Sequence, residues 1–114
     1  MSHLFDSCIS LNNINMQNII TQNVIDMSSM FHNCISITSL DLSNFETKKV
    51  IDLSRMFKNC ENLRYININN FITENILNIS ELFMNCISLG TIDISNFNTS
   101  KVKDIQVFLM DVFL

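Results

Sequence analysis

Apolar and polar residues alternate along this chain with two periods, and the combined pattern recurs. Met27, Met30, Phe31 and Cys34 fall at i, i+3, i+4 and i+7, and Leu53, Met56, Phe57 and Cys60 repeat the spacing, as do Ile79, Leu82, Phe83 and Cys86. Such spacing places four apolar side chains on one face of a helix. Asp26, Asp52, Asn78 and Asp104 stand just before these runs, where Asp and Asn accept hydrogen bonds from the free amides of a first helical turn. The pattern predicts a short helix of about two to three turns in each copy. After it the period drops to two. Ile37 to Phe45, Leu63 to Phe71 and Leu89 to Phe97 alternate apolar and polar through their centres, the mark of a short strand. Leu40 and Leu42, Ile66 and Ile68, and Ile92 and Ile94 are its inward positions.

Self-similarity fixes the architecture this pattern predicts. Cys8, Cys34, Cys60 and Cys86 are 26 residues apart, and Phe5, Phe31, Phe57 and Phe83 keep the same step. Ile19, Phe45, Phe71 and Phe97 form a third column, Thr21, Thr47, Thr73 and Thr99 a fourth, and Val24, Val50, Ile76 and Val102 a fifth. A unit this short cannot close its own core, but stacked units can. The expected fold is α/β: a right-handed, leucine-rich-repeat-like solenoid of about four coils, each a short strand plus a short helix, with a parallel sheet on one face. The coils run over about 1–24, 25–50, 51–76 and 77–102, with a partial fifth over 103–114, in one domain. An all-β solenoid is the alternative, disfavoured by the helical spacing of Met27, Met30, Phe31 and Cys34. Neither end carries a polar capping repeat, so the chain is expected to be a piece of a longer array, able to stack with further repeats or to self-associate.

Composition narrows the function classes. An apolar fraction of 47% and a charged fraction of 16% over 114 residues are enough for a core and too apolar for disorder. A formal net charge of -4 argues against nucleic acid, whose phosphates need a basic face. No apolar run is long enough to span a membrane, and residues 1–8 have no basic, apolar character of a secretory signal. One glycine and no proline leave asparagine as the residue best able to take left-handed turn positions.

The unit Val-x-Asp-Met/Leu-Ser-x-Met-Phe-x-Asn-Cys, followed by Leu-x-x-Leu-x-Leu-Ser-Asn-Phe-x-Thr, resembles the BspA-like leucine-rich-repeat surface proteins, including the mycoplasma-lipoprotein type. Asn23 to Phe31 with Cys34, Leu40 to Phe45 with Thr47, and Ile92 to Val102 match best. The resemblance implies a leucine-rich-repeat solenoid at the cell surface or outside the cell, acting in adhesion by contact with protein or glycan and not as an enzyme.

No residue constellation points to catalysis. The cysteines, on successive helices, read as small buried thiols and not as zinc ligands or disulfides. His3 and His32 read as solvated surface residues, and the capping acids have no accompanying nucleophile or base. No metal or cofactor is expected. Asn18, Asn44, Asn70 and Asn96 are expected to bond the turn backbone, and the threonines to do likewise with their hydroxyls. Lys48, Lys49, Lys101 and Lys103 read as a solvated strip. The surface left for a partner is the outward side of the strands, where Arg64 and Tyr65 are the large side chains and Asn67, Asp41 and Asp93 flank them. The expected function is non-enzymatic recognition of protein or glycan on that face. The alternative is a structural or non-functional fragment of a longer array with no specific ligand.

Overall fold

A computed structural model describes residues 1–106. The expected interior is there. Met27, Met30, Phe31 and Cys34 are fully buried, and so are Leu53, Met56, Phe57 and Cys60. Phe5, Phe31, Phe57 and Phe83 form one row of stacked rings, with successive centroids 5.4, 5.9 and 5.3 Å apart. Interplanar angles of 9–17° make these near-parallel stacks, and each fully buried ring contributes about 1.5–3 kcal/mol of apolar burial. Leu40, Leu42 and Ile68 also face inward.

The expected helices are absent, and this overturns the α/β solenoid with one helix per coil. Among the described residues there is no helix, and the only strands are β1 (Ser39–Asp41) and β2 (Tyr65–Asn67), paired in parallel. Their register sets Ser39 opposite Tyr65, Leu40 opposite Ile66 and Asp41 opposite Asn67, one 26-residue step apart. The third alternating segment, Leu89 to Phe97, makes no strand. The partial fifth coil expected over 103–114 lies mainly outside the described residues.

Backbone angles explain the missing helices. Ser29 and Asn33 have φ of 54° and 58°, Arg55 and Asn59 of 57° and 62°, and Glu81 and Asn85 of 56° and 60°. Two left-handed residues in each run are incompatible with a right-handed helix. The amides follow two routes instead. Those of Met30, His32 and Cys34 donate to the carbonyls of Met27, Ser29 and Phe31, closing tight turns. Those of Met27, Ser29, Phe31 and Asn33 donate to Asp52, Ser54, Met56 and Lys58, one repeat ahead, at 2.9–3.0 Å. The next copy does the same, with Phe57 N donating to Leu82 O and Asn59 N to Met84 O. Ser29 and Asn33 are the third residues of turns 27–30 and 31–34, where a type II turn needs its positive φ. Turning in this way brings residues 27, 30, 31 and 34 inward just as a helix would, so the apolar spacing is real while the element it predicts is not.

Side chains complete the frame between repeats. Asn44 Nδ2 donates to Met16 O at 2.8 Å, Asn70 Nδ2 to Ser43 O at 2.6 Å and Asn96 Nδ2 to Asn69 O at 2.9 Å. Thr47 Oγ1 donates to Ile72 O and accepts from Ile72 N, and Thr21 and Thr73 repeat that exchange with Glu46 and Asn98. A second asparagine ladder runs through the left-handed positions: Asn59 Nδ2 donates to Asn33 Oδ1 at 2.7 Å and Asn85 Nδ2 to Asn59 Oδ1 at 2.8 Å. The acids expected as helix caps close Asx turns, Asp26 Oδ1 accepting from Ser28 N and Asp52 Oδ1 from Ser54 N.

Candidate functional site

The parallel pair holds part of the sequence-predicted surface, with Asp41 on β1 and Tyr65 and Asn67 on β2. Tyr65 N and Arg64 N both donate to Thr38 O, which fixes the entry to β2 against the preceding repeat. From this anchored backbone the Tyr65 side chain stands 58% exposed, and Arg64 beside it is exposed as well. Among the described residues neither side chain makes a hydrogen bond or an ion pair. They are a planar ring and a cationic fork offered to solvent without an internal partner.

Asp41, Asn67 and Asp93 flank them but are half engaged. Asp41 Oδ1 accepts from Ser43 N at 3.1 Å, Asn67 Oδ1 from Asn69 N at 3.3 Å and Asp93 Oδ1 from Ser95 N at 2.9 Å. The bonds from Ser43 hold the Asp41 carboxyl below its ordinary pKa, and those from Ser95 do the same for Asp93. Both carboxylates are therefore ionised at neutral pH and oriented by their turns. β1–β2 brings Arg64, Tyr65, Asp41 and Asn67 together; Asp93 lies beyond the strand pair. At the other side of Asp41 lies a polar hollow of about 350 Å³, lined in part by Asn13, Asn15, Gln17 and Ser39.

The remaining candidates have structural roles. Cys34 Sγ donates to Phe5 O at 3.1 Å, Cys60 Sγ to Phe31 O at 3.1 Å and Cys86 Sγ to Phe57 O at 3.0 Å. Burial pushes the Cys34 thiol up to about 11 and that of Cys86 to about 12, and it raises Cys60 further. These thiols stay protonated at neutral pH and are poor nucleophiles. All four cysteines are free.

One cluster escaped the sequence. His3 Nδ1 lies 2.6 Å from Asp6 Oδ2, and His32 Nδ1 lies 3.0 Å from Asp6 Oδ1. The two histidines are 29 residues apart, and only the stacking of equivalent turns joins them. A 26-residue offset between Asp6 and His32 was the available signal. Burial alone would raise the Asp6 pKa, but bonds from His3 and Ser7 and the charge of His32 bring it below the ordinary value. Among the described residues no group of three or more His, Cys, Asp or Glu side chains is arranged to hold a metal ion, and no helix is long and apolar enough to cross a membrane.

No curated protein and no solved structure matches the chain. A family model described as "Mycoplasma protein of unknown function, DUF285" matches residues 1–112. The aromatic, cysteine, asparagine and threonine columns described above all lie within that span, and the chain belongs to this Mycoplasma family.

Proposed function

We propose that the protein is a non-enzymatic recognition module that binds a protein or glycan through the β1–β2 face, with Tyr65 and Arg64 as anchors. The observation that carries this reading is the pairing of two large unpartnered side chains with a backbone already fixed by bonds between repeats. Tyr and Arg dominate binding hot spots, and a pre-ordered backbone lowers the ordering cost of association. Asp41 and Asn67 supply oriented acceptors beside them, and the hollow next to Asp41 offers polar groups of the kind a glycan hydroxyl bonds. The similarity of the repeat unit to BspA-like surface proteins supports display at the cell surface and a role in adhesion. The buried, protonated thiols, and the absence among the described residues of a paired nucleophile and base, favour binding over catalysis.

The test is a screen of the purified chain against immobilised glycans and extracellular proteins, followed by the double variant R64A/Y65A on every hit. About tenfold weaker binding in the variant, with unchanged thermal stability, is the expected result. A hit retained at full strength removes the assignment of this face. A screen without hits favours the reading of the chain as a structural fragment.

A further inference from the structure

A second surface, built from residues that do not belong to the strand face, has the chemistry of a binding groove. Ile25, Ile51 and Leu77 are one repeat apart and are joined by backbone bonds: Ile51 N donates to Ile25 O and Leu77 N to Ile51 O, both at 2.8 Å. Ile25 and Ile51 are nonetheless 56% and 41% exposed, and Leu77 is half-buried. An aligned row of branched aliphatic side chains open to water is a feature that isolated surface residues do not explain. The row forms the apolar floor of a groove of about 730 Å³, and Lys48, Lys49 and Lys101 line it.

The charge of this groove is opposite to that of the molecule. The chain carries a net charge of -4, yet three of its five lysines line this one hollow, and among the described residues no carboxylate does. None of the three ammonium groups is paired with a carboxylate among the described residues. Two are held in place by neutral amides: Lys49 Nζ donates to Asn23 Oδ1 at 2.7 Å and Lys101 Nζ to Asn75 Oδ1 at 3.0 Å. Asn75 in turn donates to Lys48 O at 3.0 Å. The cations are thus positioned along the groove without being neutralised.

We propose that this groove binds an extended acidic peptide segment of a partner protein, whose apolar side chains lie on the Ile25–Ile51–Leu77 row while its carboxylates meet Lys48, Lys49 and Lys101. Charge complementarity selects an anionic partner, and the aliphatic floor requires that partner to be apolar in part. Nucleic acid fits less well, because among the described residues no aromatic side chain lines the groove to stack a base. A lipid surface fits less well than a peptide. Lys49 and Lys101 are tied back to Asn23 and Asn75 at the spacing of the repeat, which suits an extended chain of fixed pitch more than mobile headgroups.

The experiment uses the full chain and a fluorescein-labelled peptide of alternating aspartate and leucine, with its asparagine–leucine counterpart as control. Fluorescence anisotropy is expected to give about tenfold tighter binding of the acidic peptide. That preference should disappear in K48Q/K49Q/K101Q, whose exposed substitutions leave the melting temperature unchanged. Binding should also weaken with added salt, and Ile51→Asn should lower the affinity for both peptides. R64A/Y65A should leave acidic-peptide binding intact, which separates this groove from the strand face. Equal affinity for the two peptides, or acidic-peptide binding unaffected by the triple lysine variant, overturns the proposal. So does lysine-dependent binding to phosphatidylglycerol vesicles without peptide binding, which would make the occupant a membrane surface.

Discussion

At the scale of single residues, Ser29, Arg55 and Glu81 are the most informative. Their φ angles of 54°, 57° and 56° lie in the left-handed region, which costs a side-chain-bearing residue about 1–2 kcal/mol. Each recovers part of that cost through an amide bond to the next repeat: Ser29 to Ser54, Arg55 to Ser80 and Glu81 to Gln106. Arg55 and Lys58 also meet the Glu81 carboxylate, each at 2.8 Å. Glycine suits such a position and weakens a helix, so Ser29→Gly distinguishes the two. Thermal melting is expected to show stability held or raised by up to about 1 kcal/mol, where a helical Ser29 would give a loss of about the same size. That asparagine takes left-handed positions in a chain with one glycine was legible in the sequence, but Asn33, Asn59 and Asn85 fall inside the runs read as helices, so their own left-handed angles were not. The role of Ser29, Arg55 and Glu81 was not legible either, since these residue types carry no such preference. Gly90, the one glycine, does not occupy a left-handed position.

At the scale of elements, the interior was legible and the backbone that builds it was not. The column of Phe5, Phe31, Phe57 and Phe83 read directly as a shared interior row, because a fixed step brings equivalent side chains together whatever the local conformation. The i, i+3, i+4, i+7 spacing was misread as helical because turns closing residues 27–30 and 31–34 give the same inward set. Tyr65 was found by alternation, which holds over β1; Arg64, just before β2, is exposed beside it without following that alternation. The lysine groove was missed because Lys48, Lys49 and Lys101 sit at different positions of the repeat from the apolar row, and only the fold shows that they share a concavity. Position along the row also sets the cost of damage. Phe57 stacks on both Phe31 and Phe83 and is fully buried, whereas Phe5 stacks on Phe31 and is partly exposed. Denaturant unfolding should show a loss of about 3–5 kcal/mol for Phe57→Ala and a clearly smaller loss for Phe5→Ala. Equal losses would mean that the row is not a stack of neighbours.

At the scale of the whole molecule, pH acts on the fold from two sides. Among the carboxyls, Glu81 is held below its ordinary pKa by bonds from Lys58 and Arg55. Asp26 is also low: burial alone would raise it, but bonds from Ser28 and the charge of the N-terminus bring it down. Asp6 is low for the reasons given above. Each binds its proton less readily in the fold than in the unfolded chain, so its contribution is present above the unfolded value and is lost as pH falls through the folded one. The thiols behave oppositely. Cys34, Cys60 and Cys86 remain protonated in the fold while the unfolded chain releases protons from about 9, the ordinary thiol value. Their contribution is complete below that pH and is lost as pH rises through the folded values. Melting temperature should therefore be flat near neutrality, fall below about pH 4 and fall again above about pH 9. A flat alkaline limb would show that the thiols are not buried as described.

The central claim is that each repeat is a run of tight turns whose alternate amides bond to the next repeat and not within a helix. Scalar couplings across hydrogen bonds, read by NMR on the labelled chain, test it most directly. The fold predicts couplings from the Phe31 amide to the Met56 carbonyl and from the Phe57 amide to the Leu82 carbonyl. Couplings from Phe31 to Met27 and from Phe57 to Leu53, the partners four residues back in a helix, would contradict it.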